Sequence, residues 1–208
     1  MKVLTIYPGS VNQRHIDEAV EALRRGEIII YPTDTFYALG ADALNNKAVE
    51  CLCRIKGLNP DKNLLSVVCS DFSQAAEYAR IDNRAFRLMK DNLPGPFTFV
   101  LPASNSLPKV FKGRRSVGVR VPDNVISRAI AETLGHPVLT SSVPMGEGDD
   151  AADEVADPRA LGLRYSGVDS ISIVIDGGEG AVMGSTVVNC LDSSAPAVVR
   201  QGLGEITL

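Results

Sequence analysis

Residues 28–57 read IIIYPTDTFYALGADALNNKAVECLCRIKG, and this stretch predicts how the fold is built. Its first four residues are apolar, mostly β-branched and followed by proline, which predicts a short buried strand. Thr33, Asp34 and Thr35 follow directly, at a strand end, where sheet proteins often build binding sites because the strand holds the loop in place. Residues 46–56 repeat apolar side chains at helical spacing and stop before a glycine, which predicts an amphipathic helix.

The same periodicities predict alternating helices and strands over the rest of the chain. We expect helices at residues 12–25, 83–92 and 125–134, with short ones opening at Asp71 and near residues 157–161. Strands are predicted at residues 64–69, 97–101, 116–121, 138–141, 171–176, 186–191 and 197–200. Strict strand–helix–strand regularity is absent and the last three strands come in succession, which favours an α+β fold with a mixed sheet over a Rossmann domain. The length, 208 residues, predicts a single domain spanning residues 1–208.

The composition indicates a soluble protein, for which we expect a cytoplasmic location. The chain is 45% hydrophobic, which is too apolar for a disordered chain. No apolar run approaches the roughly 18 residues of a membrane helix, and the first ten residues, MKVLTIYPGS, do not resemble a signal peptide. None of the four cysteines forms a C-x-x-C pair and the two histidines lie far from them, so we expect buried free thiols and no protein-held metal.

Charge is unevenly distributed along the chain, whose formal net charge is -4. Residues 80–120 contain nine Lys or Arg and two acids, whereas residues 147–157 contain six acids and no base. A basic segment in an acidic protein can attract an anion such as RNA. Ordinary charge clustering on a solvated surface explains the same pattern, and the sequence leaves both readings open.

Several hydroxyl-rich segments follow apolar strands, and three cations accompany them. Thr140, Ser141 and Ser142 follow one strand as Thr33 and Thr35 follow another. Together with Lys56, Arg120 and Arg200, these hydroxyls would suit a phosphate-bearing ligand. No phosphate-binding G-x-x-x-x-G-K-[ST] loop and no G-x-S-x-G nucleophile elbow occurs, so the residue types alone leave ordinary loops as an alternative.

Six motifs follow one another along the chain. The first is the segment from residue 31 to residue 57, and the later ones are PGPFTFVLP (94–102), VGVRVPDN (117–124), PVLTSS (137–142), GSTVVNC (184–190) and VVRQG (198–202). In this order they resemble the motifs of the YrdC-like family, whose opening motif is usually P-T-[DE]-T-x-Y-G-L-G. The resemblance implies a twisted open sheet with flanking helices around a large concave cavity. It also implies a nucleotidyltransferase of the threonylcarbamoyl-AMP synthase type, which condenses L-threonine, bicarbonate and ATP, releases pyrophosphate and serves tRNA modification.

The resemblance assigns roles to ten residues by their place in these motifs. Lys56 and Ser142 are expected to be catalytic, and Lys56 is also expected to meet ATP, whose Mg²⁺ would arrive with the triphosphate. The expected substrate-binding residues are Thr33, Thr35, Asn63, Arg120 and Ser141. The expected nucleotide-binding residues, besides Lys56, are Thr98, Ser185 and Arg200.

Ala38 stands where the opening motif usually has glycine, and two further positions depart from the family pattern in their polar residues. The arginine of the K-x-R motif is Leu58 here, and the asparagine of the S-x-N motif is Pro144. Leucine cannot contact phosphate as arginine does, and proline has neither a side-chain amide nor a backbone N–H. The pattern resembles the YciO-like branch, which predicts weak or altered synthase activity. The alternative is a module that binds nucleotide, double-stranded RNA or tRNA without turnover.

Overall fold

The computed structural model describes residues 1–59, 63–107, 115–144 and 151–208, with the side chains of 151–153 left out. Within these ranges lie seven helices and ten strands. The helices are α1 (Gln13–Arg24), α2 (Asn46–Ile55), α3 (Phe72–Tyr78), α4 (Asn83–Asn92), α5 (Val125–Leu134), α6 (Ala151–Ala156) and α7 (Pro158–Arg164). The strands are β1 (Lys2–Thr5), β2 (Ile28–Tyr31), β3 (Ala38–Asp42), β4 (Ser66–Val68), β5 (Phe97–Pro102), β6 (Ser116–Arg120), β7 (Val138–Ser142), β8 (Ile171–Asp176), β9 (Thr186–Asn189) and β10 (Ala197–Arg200).

Side-chain caps fix where the helices begin, as their sequences predict. Asn12 accepts a hydrogen bond from the backbone N–H of Arg14 at 3.1 Å, and Asn124 accepts from Ile126 and Ser127. Such caps satisfy the free N–H groups of a first helical turn. Helix α5 ends at Gly135, whose φ of +83° is readily available only to glycine.

The ten described strands form one mixed sheet in the order β1-β8-β2-β3-β7-β4-β6-β5-β9-β10. Four neighbouring pairs are parallel and five are antiparallel, which confirms the predicted mixed α/β architecture. The last three strands are consecutive in sequence but separated in space. β8 lies between β1 and β2, whereas β9 and β10 lie at the opposite edge.

Both faces of the sheet are covered, so its central strands are buried throughout. In β2, Ile28 and Ile30 join one core cluster while Ile29 and Tyr31 join the other. Helices α1 and α5 pack on the second face, and α2 on the first. Burial on both sides explains why the strand is continuously apolar instead of alternating.

Some element boundaries differ from the predictions. The strand predicted at residues 64–69 covers only Ser66–Val68, and the one predicted at 186–191 ends at Asn189. Two strands, β1 and β3, add to those predicted: β1 is short and mostly exposed, and β3 contains no β-branched residue. In the described ranges no helix combines the length and apolar character that crossing a membrane requires.

Candidate functional site

A cavity of about 260 Å³ opens where the ends of β4, β6 and β7 meet the loop that follows β2. Its wall is rich in hydroxyl groups and contains two guanidinium groups. The hydroxyls belong to Thr35, Ser66, Thr98, Thr140, Ser141, Ser142 and Ser185, and the guanidiniums to Arg120 and Arg200.

Strand register gathers these side chains. Ser66 on β4 pairs with Gly118 on β6 and with Thr140 on β7. A Cβ at residue 118 would lie 2.3 Å from the Ser66 Oγ, so glycine keeps this part of the floor open. On the far side, Val187 on β9 pairs with both Thr98 and Arg200.

The turn after β2 is held by its own hydroxyls. The Thr33 Oγ1 donates to the carbonyl of Phe36 at 2.8 Å and accepts from the Thr35 N–H at 3.0 Å. The Thr33 and Thr35 hydroxyls lie 3.1 Å apart. The turn therefore presents Thr35 to the cavity, while Thr33 is buried behind it and fixes the loop.

A buried ion pair joins this turn to β6. The Arg120 Nη2 donates to the Asp34 Oδ1 at 2.7 Å and to the Thr35 Oγ1 at 2.9 Å. The two charged side chains are only 8% and 7% exposed. The Asp34 carboxylate also accepts from the backbone N–H of Asp123 at 2.9 Å, while the Arg120 Nε is buried without a partner in the described structure. Arg120 is thus fixed in place with hydrogen-bonding capacity left over.

A second polar group lies across the cavity. The Thr98 and Ser185 hydroxyls are 2.8 Å apart, and the Arg200 Nη2 donates to the Ser185 carbonyl at 2.8 Å. Burial and the neighbouring positive charge of Arg120 lower the pKa of Arg200, which nonetheless stays protonated because arginine titrates so high. With Asp34 paired to Arg120, the two arginines still leave one net positive charge at this small polar cavity, which favours an anion there.

Lys56 lies at the edge of the cavity. Its Nζ donates to the carbonyl of Ser142, at the end of β7, at 2.7 Å. Burial, followed by the charge of Arg164, lowers the pKa of Lys56. The lysine thus contacts a residue of the cavity wall without being part of that wall.

Most of the residues singled out from the sequence meet at this cavity. Seven of the ten lie in its wall: Thr35, Thr98, Arg120, Ser141, Ser142, Ser185 and Arg200. Thr33 and Lys56 adjoin it. Asn63 does not: its exposed side chain accepts from the backbone N–H of Asn59 at 2.8 Å, a local contact outside the cavity wall. The roles predicted for these residues remain predictions.

Sequence reasoning missed two further members of the site. The sequence predicts Asp34 only as a polar residue of the loop after β2, whereas in the structure it is the ion-pair partner of Arg120, 86 residues away. The sequence predicts Ser66 only as part of a buried strand, because the residues on either side of it in the sequence are apolar. Neither contact has a signal in one sequence, since both depend on which strands become neighbours.

Of these departures from the family pattern, Leu58 lies in the cavity wall, whereas Pro144 follows β7, two residues after the wall residue Ser142. Leu58 adds apolar surface to the cavity wall, and the Pro144 carbonyl accepts from the Arg164 Nη1 at 2.8 Å. Lys109, Lys112 and Arg114, on which the predicted basic segment depends, lie outside the described residues. Among the residues that are described, no three His, Cys, Asp or Glu side chains converge to hold a metal.

Residues 21–202 match the model of the Sua5/YciO/YrdC family, whose description is "telomere recombination". The chain belongs to this family. The match covers every element from β2 to β10, including all of the cavity wall. The family predicted from the six ordered motifs is thereby confirmed.

Relatives of this family resemble the chain over most of its length. Escherichia coli "uncharacterized protein YciO" is 38% identical, covering 97% of this chain and 95% of that protein. The crystal structure of E. coli YciO superposes with a TM-score of 0.87 and covers 99% and 98% of the two chains. The resemblance to a YciO-like branch is therefore confirmed.

Longer proteins are also similar to the chain, among them one named threonylcarbamoyl-AMP synthase. The Bacillus subtilis enzyme of that name is 33% identical over 93% of this chain and 55% of its own length. The crystal structure of Pyrococcus abyssi Sua5 complexed with L-threonine is 29% identical with a TM-score of 0.84, and the match spans 97% of this chain and 58% of Sua5. The present chain thus corresponds to little more than half of these relatives.

Proposed function

We propose that this protein binds ATP and an amino acid and forms an acyl-adenylate of the threonylcarbamoyl-AMP type. The observation that carries the proposal is the convergence of Arg120 and Arg200 on a small, hydroxyl-lined cavity. It is supported by the similarity to proteins named threonylcarbamoyl-AMP synthase and to a Sua5 structure that contains L-threonine.

The proposed reaction joins two anions. The amine of threonine first condenses with bicarbonate, losing water and leaving a carbamate. A carbamate oxygen then attacks the α-phosphorus of ATP, the bond from that phosphorus to the bridging oxygen breaks, and pyrophosphate leaves. Both reacting partners are negatively charged, so catalysis requires fixed cations and good alignment more than a strong nucleophile.

The residues of the cavity suit these needs. Arg120 is held by Asp34 and Thr35, so its guanidinium offsets negative charge without having to be reoriented during the reaction. Arg200 offers a second cation from the opposite side, and the hydroxyls of Thr98, Ser141 and Ser185 can orient the ligands. Mg²⁺ bound to the triphosphate would neutralise further charge and enters as part of the substrate.

We expect turnover to be slow with threonine. Leu58 contributes no positive charge to the wall, and Pro144 contributes neither an amide side chain nor an N–H. Loss of one preorganised donor at a transition state costs roughly 10²–10³ in rate. A different amino acid that fits the apolar surface at Leu58 is a natural alternative substrate.

The test is pyrophosphate release with Mg²⁺-ATP, bicarbonate and each of the twenty amino acids. We expect one or a few amino acids to raise the rate above that of ATP alone, and Arg200→Ala to abolish the increase. The matched control is Arg25→Ala, which removes a surface arginine paired with Glu27 at 2.8 Å, far from the cavity. ATP that binds without any amino acid stimulating release would contradict an enzymatic role and support a binding module.

A further inference from the structure

Residues 177–185, which we call the strap, connect β8 to β9. β8 is the second strand of the sheet and β9 the ninth, so the strap crosses over the strands between them. Its last two residues, Gly184 and Ser185, lie in the cavity wall. The path of the strap therefore determines where this part of the wall lies.

Two glycines allow the strap to pack directly against the turn that follows β2. A Cβ at residue 180 would lie 2.7 Å from the ring of Tyr37. A Cβ at residue 184 would lie 3.3 Å from the ring of Phe36, which is itself part of the cavity wall. Such a close approach of backbone to an aromatic ring requires glycine, so a side chain at residue 180 would push the strap away from the turn.

The hydroxyl of Tyr37 fixes the beginning of the strap. It donates to the Gly178 carbonyl at 2.7 Å and accepts from the Gly177 N–H at 3.1 Å. The side chain of Tyr37 is fully buried, and burial raises its pKa to about 12, so the phenol keeps the proton that it donates. Two hydrogen bonds from one buried group to adjacent residues hold that stretch of backbone in a single position.

The backbone of Tyr37 holds a second part of the cavity. Its carbonyl accepts from the N–H of Val143 at 2.9 Å, directly after the wall residue Ser142. Thr35, two residues before Tyr37, lies in the wall as well. Tyr37 is not part of the wall, yet it joins the three segments that carry Thr35, Ser142 and Ser185.

We propose that Tyr37 is a positioning residue for the cavity: its hydroxyl holds the strap against the turn and so keeps the Ser185 hydroxyl next to that of Thr98, 2.8 Å away. The choice of ligand in the test below rests on the proposed function. Tyr37→Phe is the direct variant, because it removes two hydrogen bonds from the strap and leaves the apolar ring in the core.

Amide hydrogen exchange of the whole chain, followed by mass spectrometry, tests the contact without any ligand. Tyr37→Phe should speed exchange in peptides from residues 177–185 by roughly tenfold, the effect of losing two hydrogen bonds of ordinary net strength, and leave helix α5 unchanged. The matched control is Tyr165→Phe, which removes the hydroxyl of another buried tyrosine in the same core cluster, outside the cavity wall. It should leave exchange in the strap unchanged.

The effect on the site is measured as pyrophosphate release with Mg²⁺-ATP, bicarbonate and the amino acid that stimulates it most. Tyr37→Phe should raise the KM for that amino acid about three- to tenfold and change kcat less, since a displaced Ser185 weakens binding more than chemistry. Gly180→Ala keeps the Tyr37 hydroxyl but adds a Cβ 2.7 Å from the ring, and should act in the same direction. Gly167→Ala, whose Cβ would meet nothing within 4 Å, should leave KM unchanged.

The outcomes separate this inference from the proposed function. Unchanged exchange in the strap of Tyr37→Phe, or an equal rise over the whole chain, would overturn the inference whatever the protein binds. Faster exchange in the strap with an unchanged KM in both Tyr37→Phe and Gly180→Ala would show that the strap does not position the site, and would overturn it too. Faster exchange confined to the strap of a chain that no amino acid stimulates would support the inference and contradict the proposed function.

Discussion

Replacing Asp34 with alanine should destabilise the protein far more than the loss of a surface carboxylate would. The Asp34 carboxylate accepts from the Arg120 guanidinium at 2.7 Å and from the Asp123 N–H at 2.9 Å. Asp34→Ala removes both contacts and leaves Arg120 buried, held by one hydrogen bond to the Thr35 hydroxyl. The dominant cost is that of a buried charge that has lost its counter-ion.

The magnitude follows from burial. Removing one member of a buried ion pair costs about 3–5 kcal/mol, and we take the lower end, ~3 kcal/mol, because Arg120 borders a cavity that water can enter. For a chain of this length, that corresponds to a decrease in Tm of about 6–12 °C. The matched control is Glu27→Ala, which breaks the Arg25–Glu27 pair of similar geometry, 2.8 Å, whose side chains are 57% and 32% exposed. That variant should lose at most ~1 kcal/mol.

Urea unfolding followed by circular dichroism measures both losses. Inorganic phosphate should stabilise Asp34→Ala more than Glu27→Ala, because only in Asp34→Ala does an anion in the cavity also replace the missing counter-ion of Arg120. If the two variants unfold at the same urea concentration, the buried Arg120–Asp34 pair does not stabilise the protein more than the exposed Arg25–Glu27 pair does. If phosphate stabilises both equally, the cavity is not where the anion acts.

Three further predictions concern Gly118 next to Ser66, Lys56 at the cavity edge, and Leu58 with Pro144, which depart from the family pattern. Gly118→Ala should weaken ATP binding in calorimetry, because the new Cβ would lie 2.3 Å from the Ser66 Oγ. Adding Ser66→Gly to this variant should restore ATP binding. The control Gly9→Ala, whose Cβ would lie in open space, should leave ATP binding unchanged. Affinity for Mg²⁺-ATP should be present at neutral pH and fall as the pH rises through the pKa of Lys56, which burial holds below its usual range. Lys56→Arg should remove that decrease, and a pH profile shared by both forms would count against it. Leu58→Arg combined with Pro144→Asn should raise threonylcarbamoyl-AMP formation by adding a cation and an amide to the site, and a folded, ATP-binding double variant no faster than its parent would refute this.

The helices and most strands could be predicted because their signals are local. The limits of α5, residues 125–134, follow from a cap at Asn124, an apolar face and a terminal glycine. β3 could not be predicted, because Ala-Leu-Gly-Ala-Asp has little intrinsic strand propensity. Its conformation is imposed by pairing with β2 on one side and β7 on the other, and a Cβ at Gly40 would lie 2.8 Å from the ring of Tyr31.

The site was predictable as a set of residues and not as a set of contacts. Thr35, Arg120 and Arg200 were identified by their place in ordered motifs, and all three line the cavity. Their partners were not, because the links from Arg120 to Asp34 and from Pro144 to Arg164 depend on tertiary packing that no local pattern encodes. Asn63 shows the converse: it was selected for its position near a motif, and within the described residues its side chain contacts the nearby Asn59 backbone and does not line the cavity.

The hydrogen bonds of Thr140 and Thr35 determine which of these two hydroxyls can donate to a ligand in the cavity and which can accept. Burial raises the pKa of Tyr31 to about 12, so its phenol stays protonated and donates to the Thr140 Oγ1 at 2.8 Å. Thr140 accepts that bond, so its own hydroxyl proton remains available to an acceptor in the cavity, whose wall includes Thr140. Thr33 has already given its only hydroxyl proton to the Phe36 carbonyl, so the Thr35 proton goes to Thr33.

What Thr35 presents to the cavity is therefore a lone pair, and what Thr140 presents is a proton. A bound molecule must offer a donor to the first and an acceptor to the second, as an amine or hydroxyl next to a carboxylate or phosphate oxygen would. The same molecule turned end for end would set two donors or two acceptors against each other, at a cost of about 1–3 kcal/mol for each group left unsatisfied. The buried phenol of Tyr31, which is not part of the cavity wall, thus helps to decide in which orientation a ligand binds.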